Sequence, residues 1–231
     1  MNSRVTNIHP FAVGLVCLIL SFCAAAQDGP PQEQGKKEAD LVELVRLDKT
    51  IKLDIRYAGR DNFVGRAVYP EARAFLQRPA AEAVVRVNKE LRKEGLGLVI
   101  FDGYRPWSIT KLFWTVVPED HRKFVADPAK GSKHNRGCAV DLSIYDRKTG
   151  EEVPMPSGFD EFTERASPDY KGGTDEERRN RDKLRKLMEA AGFTVNPSEW
   201  WHFDFNGWQD YAIYDIGFDL VGKKKNRKNE K

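Results

Sequence analysis

Two short segments in which apolar and polar residues alternate strictly set the strongest limit on the fold of this chain. One covers residues 51–57, Ile-Lys-Leu-Asp-Ile-Arg-Tyr, and the other covers residues 139–144, Ala-Val-Asp-Leu-Ser-Ile. Strict alternation is typical of β-strands whose two faces meet different surroundings. We therefore predict a half-buried antiparallel strand over 51–57. The strand over 139–144 should present Asp141 on the face opposite Val140 and Leu142.

Helical patterns lie between these strands. Helices are predicted from Arg78-Pro79 to Gly95, over residues 107–116, and from Thr174 to Gly192, where Thr174 and Glu177 form a capping box. Residues 96–101 and 199–205 are apolar or aromatic and favour central strands. Because strands and helices do not alternate regularly, we predict an α+β fold, a single domain with a central antiparallel sheet flanked by helices.

The N-terminal 26 residues have the pattern of an export signal. Arg4 precedes an apolar run over residues 11–20, and residues 24–26 are three alanines at the expected cleavage point. The run is shorter than the roughly 20 residues that span a membrane. We predict an exported protein, periplasmic or secreted, with no membrane span. Lipoprotein anchoring at Cys23 is an alternative, although Phe22 is bulky where a small residue is expected.

The mature chain divides into a flexible polar linker over 27–40, a folded domain over 41–222 and a basic tail over 223–231. The chain carries a formal net charge of +3, to which Arg4 contributes one and the tail five, so the body is at −3. This balance argues against a nucleic-acid partner. Cys138 alone remains after signal removal, so no intrachain disulfide forms, and we interpret it as a small buried residue.

Two histidines occur in contexts that suggest a metal. His134 precedes Asp141 by seven residues across a turn at Gly137, and His202 follows Glu199 by three. Two histidines and one carboxylate leave a fourth position open, the pattern of catalytic zinc sites, with Glu199 placed to accept a proton. Each residue alone has an ordinary structural interpretation. Periodicity does not join the two segments either, since 61 positions separate Asp141 from His202.

A family resemblance joins them. Ser-x-His-x-x-Gly-x-Ala-x-Asp at 132–141, together with Glu-x-x-His at 199–202, resembles the D-alanyl-D-alanine dipeptidases. These are zinc peptidases of a superfamily that also holds D,D-carboxypeptidases and hedgehog-type domains. The likeness continues through residues 57–65, 102–106 and 149–155, and so covers roughly residues 42–220.

The resemblance implies one zinc ion per chain on His134, Asp141 and His202. It also implies Glu199 as the general base and Arg105 as the residue that stabilises the oxyanion. A structural alternative for Arg105 is an ordinary ion pair. Trp200 and Trp201 are expected to form core and cavity walls.

The same resemblance assigns Asp160 to the ammonium group of the substrate and Ser132 to a place near that group. Their alternatives are a turn aspartate and a turn serine. The expected activity is hydrolysis of D-alanyl-D-alanine to two D-alanine molecules, in cell-wall peptide turnover or scavenging. Two alternatives stay open: a D,D-carboxypeptidase acting on peptidoglycan stem peptides, and a zinc-containing binding module without catalysis. The sequence does not specify an oligomeric state.

Overall fold

Helices and strands are mixed along the chain in the computed structural model, which describes residues 29–221. The strands are β1 (Leu41–Glu43), β2 (Lys52–Leu53), β3 (Phe75–Gln77), β4 (Leu96–Asp102), β5 (Ala139–Asp146), β6 (Phe193–Asn196) and β7 (Glu199–Phe205). The α-helices are α1 (Leu44–Leu47), α2 (Arg78–Arg92), α3 (Trp107–Val116) and α4 (Asp175–Ala190). This is the α+β arrangement that the sequence predicts.

The central sheet contains five strands in the order β2-β4-β5-β7-β6. β4, β5, β7 and β6 pair antiparallel, whereas β2 pairs in parallel with β4. The sheet is therefore mixed, and the predicted antiparallel arrangement holds except at this edge strand. α2 and α4 pack against the sheet and against each other, and β1 and β3 form a separate antiparallel pair.

The prediction of an antiparallel strand over residues 51–57 is wrong in both length and direction. β2 ends at Leu53, and a 3-10 turn follows at Arg56–Ala58. Tyr57 turns into the core, where it is 2% exposed, and its carbonyl accepts hydrogen bonds from the amides of Val68 and Tyr69. A segment that buries every second residue before a turn shows the same alternation of apolar and polar residues in its sequence as a β-strand.

The predicted helices are confirmed. Pro79 lies in the first turn of α2, and the helix ends before Gly95, whose φ is +76°. At α4 both hydrogen bonds of the capping box form: Thr174 Oγ1 accepts from the Glu177 amide, and Glu177 Oε2 accepts from the Thr174 amide. Gly192, with φ of +95°, follows this helix. Local capping and turn chemistry therefore set these boundaries.

The packing roles predicted for Cys138 and the two tryptophans are also confirmed. Cys138 is fully buried, and burial raises the pKa of its thiol to about 12. Trp200 and Trp201 are each 1% exposed. Trp200 Nε1 donates a hydrogen bond to Ser157 Oγ at 2.9 Å, and Trp201 lines a cavity beside the sheet.

The export signal at 1–26 and the basic tail at 223–231 lie outside the described residues. Among residues 29–221, no helix has both the length and the apolar character needed to cross a membrane. Part of the segment expected to be a flexible linker contacts the domain. The Lys37 amide donates to the Asp210 carbonyl at 2.8 Å, and Glu33 pairs with Arg136.

Candidate active site

A cavity of about 410 Å³ brings together all seven residues that the sequence singles out as site candidates. They are Arg105, Ser132, His134, Asp141, Asp160, Glu199 and His202. One side of the cavity consists of the ends of β5 and β7 and the turn before β5, and is called the sheet side below. The other side consists of the loops that carry Tyr57, Phe124 and Asp160, and is called the loop side.

The backbone of the sheet side places the two metal motifs next to each other. His134 lies in a 3-10 turn, His134–Arg136, that ends at Gly137 with φ of +68°. Glycine adopts this conformation without strain, and a side chain here would collide with Leu41. β5 then begins, and Asp141 lies directly opposite His202 of β7 in the register. Sheet pairing thus joins the two segments that sequence periodicity could not.

The ligand atoms of three residues face one point. His134 Nε2 lies 3.1 Å from His202 Nδ1 and 3.4 Å from Asp141 Oδ2, and His202 Nδ1 lies 3.0 Å from Asp141 Oδ1. The last approach lacks hydrogen-bond geometry, so this buried carboxylate oxygen has no donor. Zinc bonds of about 2.0–2.1 Å in a tetrahedron place ligand atoms roughly 3.3 Å apart. The donor set and its spacing therefore fit zinc.

The outer nitrogen of each histidine has an oxygen partner. His134 Nδ1 lies 2.7 Å from the Gly103 carbonyl oxygen, and His202 Nε2 lies 3.0 Å from Asp204 Oδ1. An N–H on these outer atoms donates to the oxygen and leaves the lone pair of the inner nitrogen facing the common point. Asp204 is itself paired with Lys133 at 3.2 Å. Both imidazoles are thus oriented as metal ligands require.

The carboxylates beside this point have opposite pKa shifts. Burial alone would raise the pKa of Asp141, but the facing His134 and His202 outweigh it and lower the pKa. Burial raises the pKa of Glu199, whose Oε2 lies 3.7 Å from His202 Nδ1. Asn196 Nδ2 donates to the same Glu199 oxygen at 3.0 Å. Asp141 is therefore kept ionised, while Glu199 accepts a proton more readily than an exposed glutamate.

Arg105 is a charged donor held in the cavity wall. It is 9% exposed, and its Nε donates to Asp102 Oδ2 at 2.9 Å. Its guanidinium lies over the rings of Tyr57 and Phe113, at 5.4 and 4.9 Å from their centroids. Arg105 Nη2 also comes within 3.8 Å of Asp141 Oδ2. The ion pair expected as its structural alternative is present, and it holds the guanidinium inside the cavity.

Asp160 occupies the loop side in an unusual backbone conformation. Its φ of +58° is in the left-handed region, which few residues other than glycine adopt. Tyr57 Oη donates to Asp160 Oδ2 at 2.9 Å. Burial, followed by the charge of Asp141, raises the pKa of Asp160 to about 8. Ser132 lines the cavity too, but its Oγ accepts a hydrogen bond from the His134 amide at 3.2 Å and so contacts the ligand-bearing turn.

Comparison with known proteins decides the family. A family model described as D-ala-D-ala dipeptidase, peptidase M15, matches residues 37–216. The chain belongs to this family. It is similar to the D-alanyl-D-alanine dipeptidase of Escherichia coli K12, with 35% identity over 174 residues, 75% of this chain and 89% of the relative. The D-alanyl-D-alanine dipeptidase of Enterococcus faecium is 34% identical over 171 residues, 66% of this chain and 85% of that one.

Among solved structures, the vancomycin resistance D,D-dipeptidase VanXYg in complex with a D-Ala-D-Ala phosphinate analogue overlaps at lower similarity. It has 21% sequence identity and a TM-score of 0.38, over 60% of this chain and 53% of that chain. The family match confirms the resemblance carried by the motifs, and it makes this chain an M15 metallopeptidase.

Four groups that shape the site were not singled out from the sequence: Tyr57, Asp102, Asp204 and the Gly103 carbonyl. The sequence could have indicated Asp102 and Asp204, because Asp102 lies three residues before Arg105 and Asp204 lies two residues after His202. Tyr57 has a weaker sequence signal, at the end of an alternating segment. A backbone carbonyl has none, since its position depends on how β4 ends beside the His134 turn.

Proposed function

We propose that this chain is an exported, zinc-dependent dipeptidase that hydrolyses D-alanyl-D-alanine to two D-alanine molecules. The observation that carries the proposal is the convergence of His134 Nε2, His202 Nδ1 and the Asp141 carboxylate on one point of the cavity. Glu199 lies at the edge of that point. A zinc site that served only to hold the fold would be closed by a fourth protein ligand, without an acid–base group beside it.

Zinc would be held by His134, Asp141 and His202. When bound, it supplies Lewis acidity, which polarises a carbonyl and makes a water molecule easier to deprotonate. Glu199 accepts the proton of the attacking water and returns it to the leaving amine. Burial raises the pKa of Glu199, so this side chain can both take up and release a proton closer to neutral pH than an exposed glutamate.

Arg105 donates hydrogen bonds to the oxygen that becomes negative as the carbonyl is attacked. A guanidinium stays protonated in any protein environment and offers several donors. Asp102 and the two aromatic rings fix its position before the substrate arrives, so little reorganisation is needed during the reaction.

Asp160 gives the site its preference for a free dipeptide. Its carboxylate, held by Tyr57, pairs with the ammonium group of the substrate. A longer peptide presents an uncharged amide at that position and leaves the carboxylate without a partner. An exported enzyme of this kind would meet dipeptides outside the cytoplasm, and we place it in cell-wall peptide turnover or scavenging.

The direct test is D-alanine release from D-alanyl-D-alanine by the purified mature chain, with chelator and after zinc is restored. We expect release that chelator abolishes. If a pentapeptide ending in D-Ala-D-Ala is cleaved faster than the free dipeptide, the D,D-carboxypeptidase alternative is correct. If the chain cleaves neither substrate, the remaining interpretation is the zinc-containing binding module without catalysis.

The metal is tested by a matched pair of histidine substitutions. The wild type should hold about one zinc per chain by elemental analysis, and His202→Ala should lose most of it because a three-residue ligand set loses one member. His121→Ala is the control, since His121 is exposed and does not line the cavity. Full zinc occupancy in His202→Ala would remove His202 from the ligand set.

A further inference from the structure

Residues 29–40, called the arm here, are attached to the domain at several places. Tyr214 Oη donates to the Lys37 carbonyl at 2.9 Å, close to the pairing of Lys37 with Asp210. The Asp40 amide donates to Gln77 Oε1 at 2.9 Å, beside the start of α2. The family match begins at residue 37, so the first part of the arm precedes the region shared with the family.

Glu33 of the arm makes a two-point ion pair with Arg136. Its Oε2 lies 2.7 Å from Arg136 Nη1, and its Oε1 lies 3.0 Å from Nη2. Arg136 is 7% exposed, and its Nη1 also donates to the Tyr211 carbonyl. The guanidinium lies over the ring of Trp208, 5.3 Å from the centroid. Glu33 is the one carboxylate within 4 Å of this guanidinium among residues 29–221.

Arg136 belongs to the turn that carries a candidate zinc ligand. It follows His134 by two residues in the same 3-10 turn, and it lines the cavity. Its carbonyl accepts a hydrogen bond from Gln77 Nε2 at 2.8 Å. A buried guanidinium whose carboxylate is removed keeps its desolvation cost but loses the negative charge that offset it. It would move toward water and pull on this turn.

We propose that Glu33 is a positioning residue: from the arm, its carboxylate holds Arg136 and thereby fixes the turn that carries His134. This role rests on the zinc site proposed above. Glu33 also neutralises a positive charge in the wall of a cavity built to hold a divalent cation. Loss of the Glu33 charge should therefore weaken zinc binding both by loosening the ligand and by adding uncompensated charge.

The first measurement is the zinc dissociation constant, obtained by competition with a chromophoric chelator. Glu33→Gln keeps the size of the side chain and removes its charge. We expect zinc to bind about tenfold more weakly, at the lower end of the effect of residues that support metal ligands. The kcat/KM value should fall at limiting zinc and recover when zinc is saturating. Glu33→Asp, which retains the charge, should recover part of the affinity.

Lys37→Gln is the matched control on the same arm. Lys37 pairs with Asp210 at 2.7 Å, but both side chains are more than half exposed. An exposed pair contributes little, so zinc affinity should stay within about twofold of the wild type. An equal loss in Lys37→Gln and Glu33→Gln would mean that any disturbance of the arm suffices, which would overturn a specific role for Glu33.

A double-mutant cycle separates action through Arg136 from a general structural effect. Arg136→Gln removes the buried cation, so adding Glu33→Gln to it should cause no further loss of zinc affinity. Thermal unfolding of each variant establishes that it is folded. If Glu33→Gln alone fails to fold, the comparison of the double variant with Arg136→Gln still shows whether Glu33 affects zinc affinity when Arg136 is absent. Additive losses, or unchanged zinc affinity in Glu33→Gln, would overturn the proposal.

The outcomes also distinguish this proposal from the proposed function. A wild type that binds no zinc overturns both. A wild type that binds zinc but releases no D-alanine overturns the dipeptidase activity, while the zinc affinities still decide the role of Glu33. A wild type that binds zinc and releases D-alanine, with an unchanged Glu33→Gln variant, overturns the role of the arm alone.

Discussion

The two sides of the cavity are held in different ways. On the sheet side, Asp141 and His202 lie on paired strands in the middle of the central sheet, and the outer nitrogen of each histidine ligand candidate has an oxygen partner that orients the ring. On the loop side, Asp160 lies in a loop with a left-handed backbone, and its carboxylate accepts a hydrogen bond from Tyr57 Oη. The rings of Phe124 and Phe162 stack across the loops at 4.8 Å.

This difference matches what each side has to do. A metal site tolerates errors of only a few tenths of an ångström, so its ligands belong on hydrogen-bonded strands and turns. In the function proposed above, substrate selection relies on the presence or absence of one charge, which a loop can supply. Changes on the sheet side should therefore affect metal binding and turnover, whereas changes on the loop side should affect the choice of substrate.

The largest effect expected on the sheet side is loss of turnover without loss of metal. Glu199→Ala removes the proposed base but none of the three zinc ligands, so zinc should remain and kcat should fall by roughly 10²–10⁴, the scale of general acid–base catalysis. Glu189→Ala, at an exposed glutamate of α4, is the control. Near-normal turnover in Glu199→Ala would show that Glu199 is structural.

The next effect concerns the orientation of a ligand. Asp204→Ala removes the acceptor for His202 Nε2, and outer partners of this kind contribute about 10–100-fold to metal affinity. Asp210→Ala removes an exposed carboxylate close by in the sequence and should leave zinc affinity unchanged. If both variants bind zinc equally well, the strands alone orient His202 and the contrast between the two sides weakens.

The features of this fold that the sequence predicts are those set by local chemistry, and the features that it does not predict depend on contacts between distant segments. Helix ends are set by local chemistry, such as the Thr174 capping box, and they were predictable. The candidate zinc ligands were found because each motif is continuous in sequence. That the two motifs meet, however, depends on the register of β5 with β7. From the sequence alone, only the family resemblance indicated that they form one site.

Contacts between distant segments without a motif escaped prediction. Glu33 meets Arg136 across 103 positions, in a segment whose composition indicated a flexible linker. Tyr57 buries its ring and turns the chain at 56–58, which alternation alone could not distinguish from a longer strand. In both cases tertiary packing outweighs the local pattern.

On the loop side, the expected effect is a change of selectivity. Asp160→Asn keeps the shape of the side chain and removes its charge, so kcat/KM for D-alanyl-D-alanine should fall by at least about tenfold, or some 1.4 kcal/mol. The N-acetylated dipeptide should be a poor substrate for the wild type and relatively less poor for the variant. Asp169→Asn, exposed and outside the cavity, is the control. Equal wild-type activity on both substrates would contradict this role of Asp160.

The smallest effect is a pH dependence that belongs to Asp160. Burial raises the pKa of this carboxyl to about 8, so at pH 7 only about a tenth of the molecules carry the ionised Asp160 that pairs with an ammonium group. Raising the pH ionises Asp160, but it also deprotonates the substrate amine, whose pKa is about 8. The product of the two ionised fractions rises by about threefold from pH 7 to pH 8 and then falls.

For the acetylated dipeptide the pH dependence of kcat/KM runs in the opposite direction, because an uncharged amide is accommodated better by a protonated carboxyl than by an ionised one. Its kcat/KM should therefore decline steadily as the pH rises from 7 to 9, while kcat/KM for the free dipeptide rises up to pH 8 and falls above it, so the ratio of free to acetylated dipeptide increases across this range. The measurement is kcat/KM for both substrates between pH 6 and 9, with Asp160→Asn as the reference that carries no carboxyl. Since Glu199 and the metal ligands are common to both substrates, their titration cancels in the ratio of the two values. A ratio that does not change with pH in the wild type would place substrate selection elsewhere than at Asp160.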